Sequence, residues 1–471
     1  MFNPSPYNLA IQEYWQTYQQ KNLMVDAVAG SGKTTQIFEL CKLAPNKRKL
    51  YLVFSKEMQT EVEPKLASTS TDVMTFHSFG LKAIRNAGNR CRVDQWKYHN
   101  IFDQYGYDDQ KYGITKNQAI KTLQIIRDWY VEIDPDGVLD ALEHWDIEVQ
   151  DEFWDEHVNE FCEFLKFVDQ QGIQDLSNVD FSDMIYAPLR LNLKFPQYDE
   201  VFVDEVQDLN TSKQLTLLRI KNARLTCVGD PYQAIFGFTG ADTKAFWNLQ
   251  DRLNAKVFPL SKCYRCPDEV LELAQEYVPH IEGTGKTGII NQWDRFDVFE
   301  KLKPGNLVIC RRNAPLVSLA LQLMAKKKPC KIKGREFSEF VIKLVEETEK
   351  KRISFSDLAI EIDNLINKKI EKITNEGKIR NLLDAADCIK AISEECDSYP
   401  QFKADIRSLF ADKVDGDFIH LCSFHRSKGL ERDSVTILLD RPLSKPGNGQ
   451  ESNLAYVAIT RAKQELNFLK W

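Results

Sequence analysis

A glycine-rich segment near the start of the chain constrains the fold more than any other feature. Residues 27–34 read Ala-Val-Ala-Gly-Ser-Gly-Lys-Thr and follow the short apolar run 23–25. When such a turn follows an apolar strand and opens a helix, its backbone N–H groups surround the phosphates of a nucleotide. Lys33 is then placed to reach the β- and γ-phosphates, and the Thr34 hydroxyl to bind Mg²⁺. The segment therefore predicts a strand–loop–helix unit that binds a nucleoside triphosphate.

Length and composition indicate an ordinary globular protein of several domains. The chain has 471 residues, of which 43% are hydrophobic and 28% charged, and a single core rarely grows beyond about 250–300 residues. No apolar run approaches the ~20 residues that a membrane span needs, and the first residues lack a charged stretch followed by an apolar one. We therefore expect about two to four domains, a cytoplasmic location and no membrane partner.

Charge is distributed very unevenly along the chain. The net charge is −7, but residues 131–183 hold 17 Asp and Glu against the single Lys166, a net of −16. The rest of the chain therefore carries a net charge of +9. Because the local field decides whether a phosphate backbone is attracted, this basic remainder is compatible with a nucleic-acid partner. For the acidic stretch we favour a solvated helical face over a surface that binds a protein partner.

The cysteines form no recognisable framework. Eleven are scattered through the chain, several of them in apolar runs, which favours reduced and buried thiols. Cys263 and Cys266 form one C-x-x-C pair, and no second pair stands at the spacing of a zinc ribbon. We therefore do not expect a structural metal at this pair.

Short apolar strands alternate with helical stretches, a pattern typical of parallel α/β sheets. The strands are predicted at residues 23–28, 50–54, 199–204, 224–229, 307–311, 418–422, 434–439 and 465–469. Two helical stretches interrupt them, one at about 81–180 and one at about 346–414. The predicted fold class is α/β, with two lobes that are each interrupted by a mainly helical insertion.

A pair of acids follows one of the predicted strands. The apolar run that ends at Val203 is followed by Asp204 and Glu205, and then by Val-Gln-Asp at 206–208. At the carboxyl end of a strand beside a phosphate loop, Asp204 is placed to bind Mg²⁺ and Glu205 to polarise an attacking water. Most Asp-Glu pairs are solvated turns, and the position of this one after an apolar strand favours hydrolysis.

The next predicted strand leads into a loop that combines a glutamine with aromatic residues. Residues 227–238 read Cys-Val-Gly-Asp-Pro-Tyr-Gln-Ala-Ile-Phe-Gly-Phe. Gln233 is placed to sense a γ-phosphate, and Phe236 and Phe238 are placed to stack on unpaired bases without reading their sequence. Read by themselves, the two phenylalanines are as readily interpreted as core residues.

Taken together, these segments resemble the superfamily 1A DNA helicases of the UvrD/Rep/PcrA group. Further motifs follow in the family's order: Thr-Phe-His-Ser-Phe at 75–79, Leu-Ser-Lys-Cys-Tyr-Arg at 260–265, Phe-His-Arg-Ser-Lys-Gly-Leu-Glu at 424–431 and Leu-Ala-Tyr-Val-Ala-Ile-Thr-Arg-Ala-Lys at 454–463. The match runs from about Tyr7 to the last residue and is weakest in the two helical stretches.

The resemblance implies a fold of two RecA-like P-loop lobes with parallel sheets. The predicted division has four parts: lobe 1A at 1–80 with 181–258, the helical insertion 1B at 81–180, lobe 2A at 259–345 with 415–471, and a short helical insertion in the 2B position at 346–414.

The resemblance also implies roles for particular residues. The implied catalytic residues are Lys33, Glu205, Gln233 and two arginines that reach the γ-phosphate, Arg265 and Arg461. The implied contacts to ATP are Gln12 and Tyr264 on the adenine, Glu431 on the ribose, and Ala29, Gly30, Ser31, Gly32, Lys33, Thr34 and Thr35 along the phosphates. Thr34 and Asp204 are implied as Mg²⁺ ligands, and the implied DNA contacts are Phe54, His77, Phe236, Phe238 and His425. Because the arginines belong to the second lobe, hydrolysis is expected to require lobe closure.

Three features depart from the family's pattern. Phe-Gly-Phe at 236–238 stands where the family usually has Tyr-Gly-Trp, and Lys-Cys at 262–263 stands where it has Gln-Asn. Only 159 residues separate Arg265 from His425, which leaves a short second insertion where larger members carry a substantial subdomain. The family attributes duplex engagement and autoinhibition partly to that subdomain.

The leading hypothesis is an ATP-dependent DNA helicase that moves 3′→5′ on single-stranded DNA and unwinds duplexes in replication, recombination or repair. Its implied partners are single-stranded DNA and duplex–single-strand junctions. The alternative is a DNA-stimulated ATPase or translocase that strips proteins from DNA or acts in a defence complex. A nucleotide-dependent scaffold without turnover is disfavoured by the complete catalytic set, and a small-molecule kinase by the aromatic loop.

Overall fold

Two parallel β-sheets, one in each half of the chain, organise the protein. The computed structural model describes residues 3–145, 147, 149, 151–371, 373, 376–411 and 417–471. The chain divides between Ser261 and Lys262 into a first and a second unit. Each unit is described by itself below.

The first unit is built on a six-stranded sheet with the order β3-β2-β6-β7-β1-β8. Its strands, with a separate pair β4 and β5, are β1 (Leu23–Ala27), β2 (Lys49–Val53), β3 (Thr71–Thr75), β4 (Arg92–Val93), β5 (Asn178–Val179), β6 (Glu200–Val203), β7 (Arg224–Gly229) and β8 (Lys256–Leu260). Every neighbouring pair in the large sheet runs parallel. The carboxyl ends of β6, β7 and β1 therefore lie side by side at one edge.

The register of these three strands determines which residues meet at that edge. Asp26 on β1 pairs with Gly229 on β7, and Val203 on β6 pairs with Cys227 on β7. All residues of β2, β6 and β7 are buried, as expected for parallel strands that are covered on both faces. The loops after β1, β6 and β7 are thus held by the most buried part of the unit.

The helices of the first unit flank the sheet and form a separate helical body. They are α1 (Pro6–Thr17), α2 (Lys33–Lys42), α3 (Lys56–Leu66), α4 (Phe76–Asn86), α5 (Lys97–Gln104), α6 (Asp109–Tyr112), α7 (Lys116–Trp129), α8 (Pro135–His144), α9 (Asp151–Gln174), α10 (Phe181–Arg190), α11 (Thr211–Leu218) and α12 (Ala245–Leu253). Helices α5 to α9 enclose their own core around Phe102, Leu123 and Phe161, apart from the cores that cover the sheet.

A buried network of charges holds this helical body to α10. Arg127 on α7 donates to Asp169 at 2.7 Å and to Asp183 at 3.2 Å, and Lys97 on α5 donates to Asp183 at 2.6 Å. The solvated-face interpretation of residues 131–183 is therefore wrong for Asp169, Asp180 and Asp183, which are buried. These carboxylates are inside because Lys97 and Arg127, which precede the acidic stretch in sequence, compensate them there.

The second unit is built on a seven-stranded sheet with the order β12-β11-β13-β10-β14-β15-β9. Its strands are β9 (Ile289–Trp293), β10 (Leu307–Cys310), β11 (Cys330–Lys333), β12 (Phe410–Ala411), β13 (Ile419–Ser423), β14 (Arg432–Leu439) and β15 (Ala462–Lys470). All neighbouring pairs again run parallel. The sheet therefore has one amino edge and one carboxyl edge, and both carry predicted site residues.

The helices of the second unit share a core with the sheet. They are α13 (Asp268–Gln275), α14 (Asp297–Lys301), α15 (Ala314–Ala325), α16 (Arg335–Lys350), α17 (Leu358–Ile370), α18 (Glu376–Ser393), α19 (Tyr399–Leu409) and α20 (Gly449–Ile459). Side chains of α17 to α19, among them Leu358, Ile389 and Phe402, belong to the same hydrophobic cluster as Val308 and Ile332 of the sheet. Asp384 on α18 also accepts hydrogen bonds from the backbone N–H groups of Asn313 and Ala314, at the start of α15.

The parallel α/β fold with helical insertions is confirmed, whereas the predicted boundaries of its four parts stay predictions. In the part of the chain that the structure describes, no helix combines the length and the apolar character needed to cross a bilayer.

Candidate functional site

The glycine-rich loop after β1 has the backbone conformation that its sequence predicts. Gly30 and Gly32 have φ angles of 68° and 84°, in the left-handed region that favours glycine. α2 begins directly afterwards at Lys33, so the N–H groups of the loop and of the helix N-terminus are placed to bind phosphates. The Ser31 hydroxyl is buried and has no hydrogen-bond partner among the described residues. A buried orphan hydroxyl in this position fits a bound phosphate.

The predicted Mg²⁺ ligands lie close together, Thr34 in the first turn of α2 and Asp204 directly after β6. The Thr34 hydroxyl lies 3.4 Å from Asp204 Oδ2, and the Tyr51 hydroxyl donates to the same oxygen at 2.7 Å. A hydroxyl and one carboxylate, with waters and phosphate oxygens, form the kind of ligand set that Mg²⁺ takes in nucleotide sites. Thr34 and Asp204 therefore fit this ion.

Burial makes the Asp204 carboxylate suited to a cation. The side chain is 2% exposed, and burial together with the charge of Glu205 raises its pKa to about 6, against the opposing effects of the Tyr51 hydrogen bond and Lys33. Ionising a buried carboxyl beside a second carboxylate is unfavourable unless positive charge compensates it. Bound Mg²⁺ would supply that charge, with Lys33 close by.

Glu205 is held by Gln207, a residue that the sequence analysis did not assign. The Gln207 side-chain amide donates to Glu205 Oε2, and its oxygen accepts from the backbone N–H of Asp230 at 3.1 Å. Glu205 itself has a φ of 53°, which a residue other than glycine adopts only when its surroundings hold it. The buried Gln207 amide thus fixes the predicted water-polarising carboxylate to the end of β7.

Gly229 leaves the space that Gln207 occupies. A Cβ atom at this position would lie 2.5 Å from Gln207 Oε1 and 2.8 Å from Val206, so any side chain would displace the amide. Next to it, Gln233 Nε2 donates to Asp230 Oδ2 at 2.7 Å. Two sequence signals could have indicated this network: Gly229, which precedes Asp230, and Gln207, which lies two residues after Glu205.

The predicted ATP contacts outside the loop occupy two places. Gln12 is half-buried on α1 of the first unit. Tyr264 belongs to the second unit, where its ring is 46% exposed, as expected for a ring that is free to stack on a base. Their roles as adenine contacts stay predictions.

Arg265, Glu431 and Arg461 gather at the amino edge of the second sheet. Arg265 Nε lies 2.5 Å from Glu431 Oε2, and Lys463 Nζ lies 2.8 Å from the other oxygen. Arg461 is buried and donates to the carbonyl oxygens of Val457 at 2.8 Å and Leu430 at 3.2 Å. Burial and the charge of Arg265 lower its pKa to about 10. The structure brings the three residues together, and their roles at a ribose and a γ-phosphate stay predictions.

Two of the predicted DNA-binding residues line one cavity of the first unit, and a third stacks on the ring of one of them. Phe54 and His77 are part of the wall of a cavity of about 290 Å³. Phe236 stacks on Phe54, with ring centroids 6.4 Å apart and an interplanar angle of 10°. The side chain of Phe238 lies outside the described part of the chain. The first unit therefore presents a stacked aromatic pair beside an open cavity.

Lys213 belongs to this cavity, although the sequence analysis did not assign it. Its Nζ lies 5.2 Å from the centre of the Phe54 ring, and burial lowers its pKa. Burial, together with the charge of Lys213, lowers the pKa of His77 to about 4, so His77 is neutral at pH 7. Asn210, the N-cap of α11, donates to Asp128 on the same wall at 2.7 Å. Only tertiary contacts identify these residues.

His425 lies at the carboxyl edge of the second sheet, directly after β13. Burial and the charge of Arg311 lower its pKa to about 4. Arg311, Arg380 and Arg441 surround Glu451 nearby, with the closest N–O distances at 2.7, 3.2 and 3.9 Å. Within the second unit, the predicted DNA contact and the predicted γ-phosphate arginines therefore occupy opposite edges of the sheet.

Two family models match the chain. The UvrD/REP helicase N-terminal domain matches residues 9–254, and the UvrD-like helicase C-terminal domain matches residues 196–470. The chain belongs to the UvrD/Rep helicase family. Its two parallel sheets are the RecA-like lobes of this family, as the sequence motifs predict.

Relatives with curated names share about a quarter of their aligned residues with this chain. F-box DNA helicase protein 1 of Schizosaccharomyces pombe is 27% identical over 314 residues, which cover 58% of this chain and 34% of that protein. ATP-dependent DNA helicase PcrA of Staphylococcus epidermidis is 25% identical over 287 residues, with coverages of 55% and 38%. PcrA of Leuconostoc citreum is 25% identical over 294 residues, with coverages of 55% and 37%. The chain thus matches only about 34–38% of the length of these relatives.

The contact between Gln207 and Glu205 predicts a specific kinetic effect. We expect Gln207→Ala to lower the kcat of nucleoside triphosphate hydrolysis by about 10-fold or more with little change in KM, because a misoriented base costs turnover while the phosphate loop is intact. Steady-state kinetics measure both constants. Gln59→Ala, which removes a buried amide that donates to the Val73 carbonyl at 2.8 Å, is the matched control. An unchanged kcat in Gln207→Ala would show that this amide does not position the base.

Proposed function

We propose that the protein is an ATP-dependent DNA helicase that translocates 3′→5′ along single-stranded DNA. The loop after β7 carries the proposal. Its first residue, Asp230, is hydrogen-bonded to Gln207 and Gln233 beside the acid pair. Six residues later, Phe236 stacks on Phe54 at the cavity. One short loop therefore joins a phosphate-binding centre to an aromatic surface that suits unpaired bases.

In this proposal the first unit binds MgATP. Lys33 and the N–H groups of the glycine-rich loop bind the phosphates, and Gln12 contacts the adenine. Thr34 and Asp204 would hold Mg²⁺, which would supply positive charge to offset that of the phosphates.

Glu205 and Gln233 act on the nucleophile and the γ-phosphate. Held by the Gln207 amide, the Glu205 carboxylate accepts a hydrogen bond from the attacking water and orients it for in-line attack. Gln233, whose amide donates to Asp230, senses whether the γ-phosphate is present.

The second unit supplies the remaining groups. We infer that Tyr264 stacks on the adenine, that Glu431 contacts the ribose, and that Arg265 and Arg461 stabilise the charge on the transferred phosphoryl group. Arg265 is paired with Glu431, and Arg461 donates to backbone carbonyls. To contact the γ-phosphate, each arginine must therefore exchange its ion-pair or hydrogen-bond partner in the second unit for phosphate oxygens.

Aromatic stacking is proposed as the main contact to the DNA bases. Phe54 and Phe236 offer ring faces, and stacking on an aromatic side chain is worth about 1–3 kcal/mol per base. His77 and Lys213 lie in the same cavity wall, and His425 and Phe238 complete the set proposed from the family. Because every base has a π-face, this surface tolerates any sequence.

The direction of movement and the biological process rest on the family resemblance. Relatives of opposite polarity tend to carry a proline-rich segment after the Gly-Asp-x-x-Gln motif, and residues 229–235 continue here without one. The proposed processes are DNA replication, recombination or repair, with duplex–single-strand junctions as substrates.

A second candidate is a single-stranded-DNA translocase that displaces bound proteins and separates duplexes poorly. The packing of the second unit favours it, because α17 to α19 lie in the same hydrophobic core as the sheet. Arg380 on α18 and Arg311 after β10 also share the carboxylate of Glu451. Helices built into a lobe in this way do not form a separate subdomain that could engage the duplex.

Duplexes with a 3′ or a 5′ single-stranded tail test the proposal. We expect ATP-dependent separation of the 3′-tailed duplex and only background separation of the 5′-tailed duplex. Glu205→Gln, which keeps Asp204 and the phosphate loop, is the matched inactive control. A preference for the 5′ tail would overturn the proposed polarity. Displacement of streptavidin from biotinylated single strands without separation of either duplex would favour the second candidate.

The stacked pair predicts a measurable loss of DNA affinity. We expect Phe54→Ala to raise the Kd for a short homopolymeric single strand by roughly 5- to 150-fold, the equivalent of one stacked base. Fluorescence anisotropy with a labelled oligonucleotide gives the Kd. Phe296→Ala, which removes a phenylalanine that is 86% exposed, should leave it unchanged. Equal affinity of Phe54→Ala and the parent would show that this ring has a structural role and does not contact the bases.

A further inference from the structure

Two cysteines bracket the Tyr-Arg pair of the second unit. Cys263 and Cys266 flank Tyr264 and Arg265 in a bend that precedes α13. Both thiols are fully buried, while Tyr264 between them is 46% exposed. The cysteine pair therefore belongs to the same four-residue segment as two residues that we propose to contact the nucleotide.

Hydrogen bonds draw the two cysteines together. The backbone N–H of Cys266 donates to Cys263 Sγ at 3.4 Å, as occurs when two cysteines face each other across a tight bend. The Cys266 thiol donates to the Thr460 carbonyl at 3.5 Å, and Arg265 Nη1 donates to that same oxygen at 3.3 Å. Thr460 directly precedes Arg461, so one carbonyl connects the thiol pair with both arginines.

We propose that Cys263 and Cys266 form a reversible disulfide that withdraws Arg265 from its working position and stops nucleotide hydrolysis. Formation of the disulfide stands on the geometry of the bend. Its effect on hydrolysis rests on the proposed function.

The chemistry needs a two-electron oxidant, for which hydrogen peroxide is sufficient. The Cys263 thiolate attacks one peroxide oxygen, the O–O bond breaks, hydroxide leaves, and a sulfenic acid forms. The Cys266 sulfur then attacks the Cys263 sulfur, forming the S–S bond while the sulfenic oxygen leaves as water. In sum, two thiols and one peroxide give one disulfide and two waters. A dithiol reductant returns both thiols by exchange.

Cys263 has the electrostatic environment of a reactive thiol. Hydrogen bonding with Cys266 and with the backbone N–H of Arg265, together with the charge of Arg265, outweighs burial and lowers the pKa of Cys263 to about 6. A thiolate at neutral pH is the nucleophile in both steps above. By contrast, burial raises the pKa of the thiols in the unit cores, for example Cys227, Cys310 and Cys422. Oxidation is therefore directed to the pair rather than to the other buried cysteines.

A disulfide changes the contacts that place Arg265. It joins the sulfurs at about 2.05 Å with a fixed dihedral preference, and it removes the Cys266 proton that the Thr460 carbonyl accepts. Only Tyr264 and Arg265 separate the two cysteines, so the bend between them must adjust. Burial of both thiols restricts the reaction to small oxidants, since a protein disulfide has no access to them.

Treatment of the full chain with hydrogen peroxide, followed by blocking of free thiols, tests the proposal. We expect a mass loss of about 2 Da in the peptide that holds Cys263 and Cys266. Hydrolysis of ATP should fall by about 10-fold or more, as expected when an arginine at the γ-phosphate is displaced. A dithiol reductant should restore it.

Two variants and a control separate this effect from general oxidation. Cys263→Ser and Cys266→Ser should form no cross-link, and each should keep its own untreated rate after peroxide. Cys91→Ser, which alters a half-buried cysteine of the first unit, should lose activity with peroxide as the parent does.

Failure of the proposal is distinguishable from failure of the proposed function. The proposal is overturned if peptide masses show no Cys263–Cys266 cross-link. It is also overturned if the cross-linked protein hydrolyses ATP as fast as the protein with free thiols does. If the reduced protein does not hydrolyse ATP at all, the proposed function fails and the regulatory effect fails with it. The peptide mass then still decides whether the disulfide forms.

Discussion

The hydrogen bonds of the Gln207 amide are the contact on which the arrangement of the first unit depends. One side of the amide holds Glu205, and the other accepts the N–H of Asp230 at the end of β7. This contact requires β6 and β7 to be neighbours, a residue without a side chain at Gly229, and a left-handed backbone at Glu205. The left-handed backbone at Glu205 and the missing side chain at Gly229 are locally unfavourable, and the packing of the buried parallel sheet compensates for them. The acid pair is thereby fixed beside the phosphate loop.

Eight strands of the two sheets were predictable from the sequence, and the outermost strands of both sheets, together with β11, were not. All eight apolar runs became strands, with ends that agree within three residues, because a parallel strand covered on both faces is largely apolar. The missed strands include the outermost ones of both sheets, β3, β8, β9 and β12. In β3, for example, Asp72 is exposed and only Val73 and Thr75 are buried. Edge strands are less uniformly buried, since solvent reaches their free side, and their sequences are therefore less uniformly apolar.

The candidate site likewise contains some residues that local sequence motifs identify and others that only tertiary contacts identify. The phosphate loop, Asp204, Glu205 and Gln233 are fixed by short motifs at the ends of strands, and the structure places them together at one edge. Lys213 is different, because its relation to Phe54 and His77 exists only once α11 packs beside the loops after β2 and β3. The pairing of Arg265 with Glu431 likewise joins residues far apart in sequence. Sequence motifs therefore identified the functional groups of the site, and the fold determined which residues contact them.

In the proposed mechanism, the loop after β7 links nucleotide hydrolysis to single-stranded DNA. The most direct test is the rate of ATP hydrolysis by the unmodified chain at saturating ATP, with and without a homopolymeric single strand long enough to cover the protein. We expect the rate to rise severalfold when DNA is added and to fall again as salt weakens the phosphate contacts. An equal rate with and without DNA would show that this loop does not link the two sites.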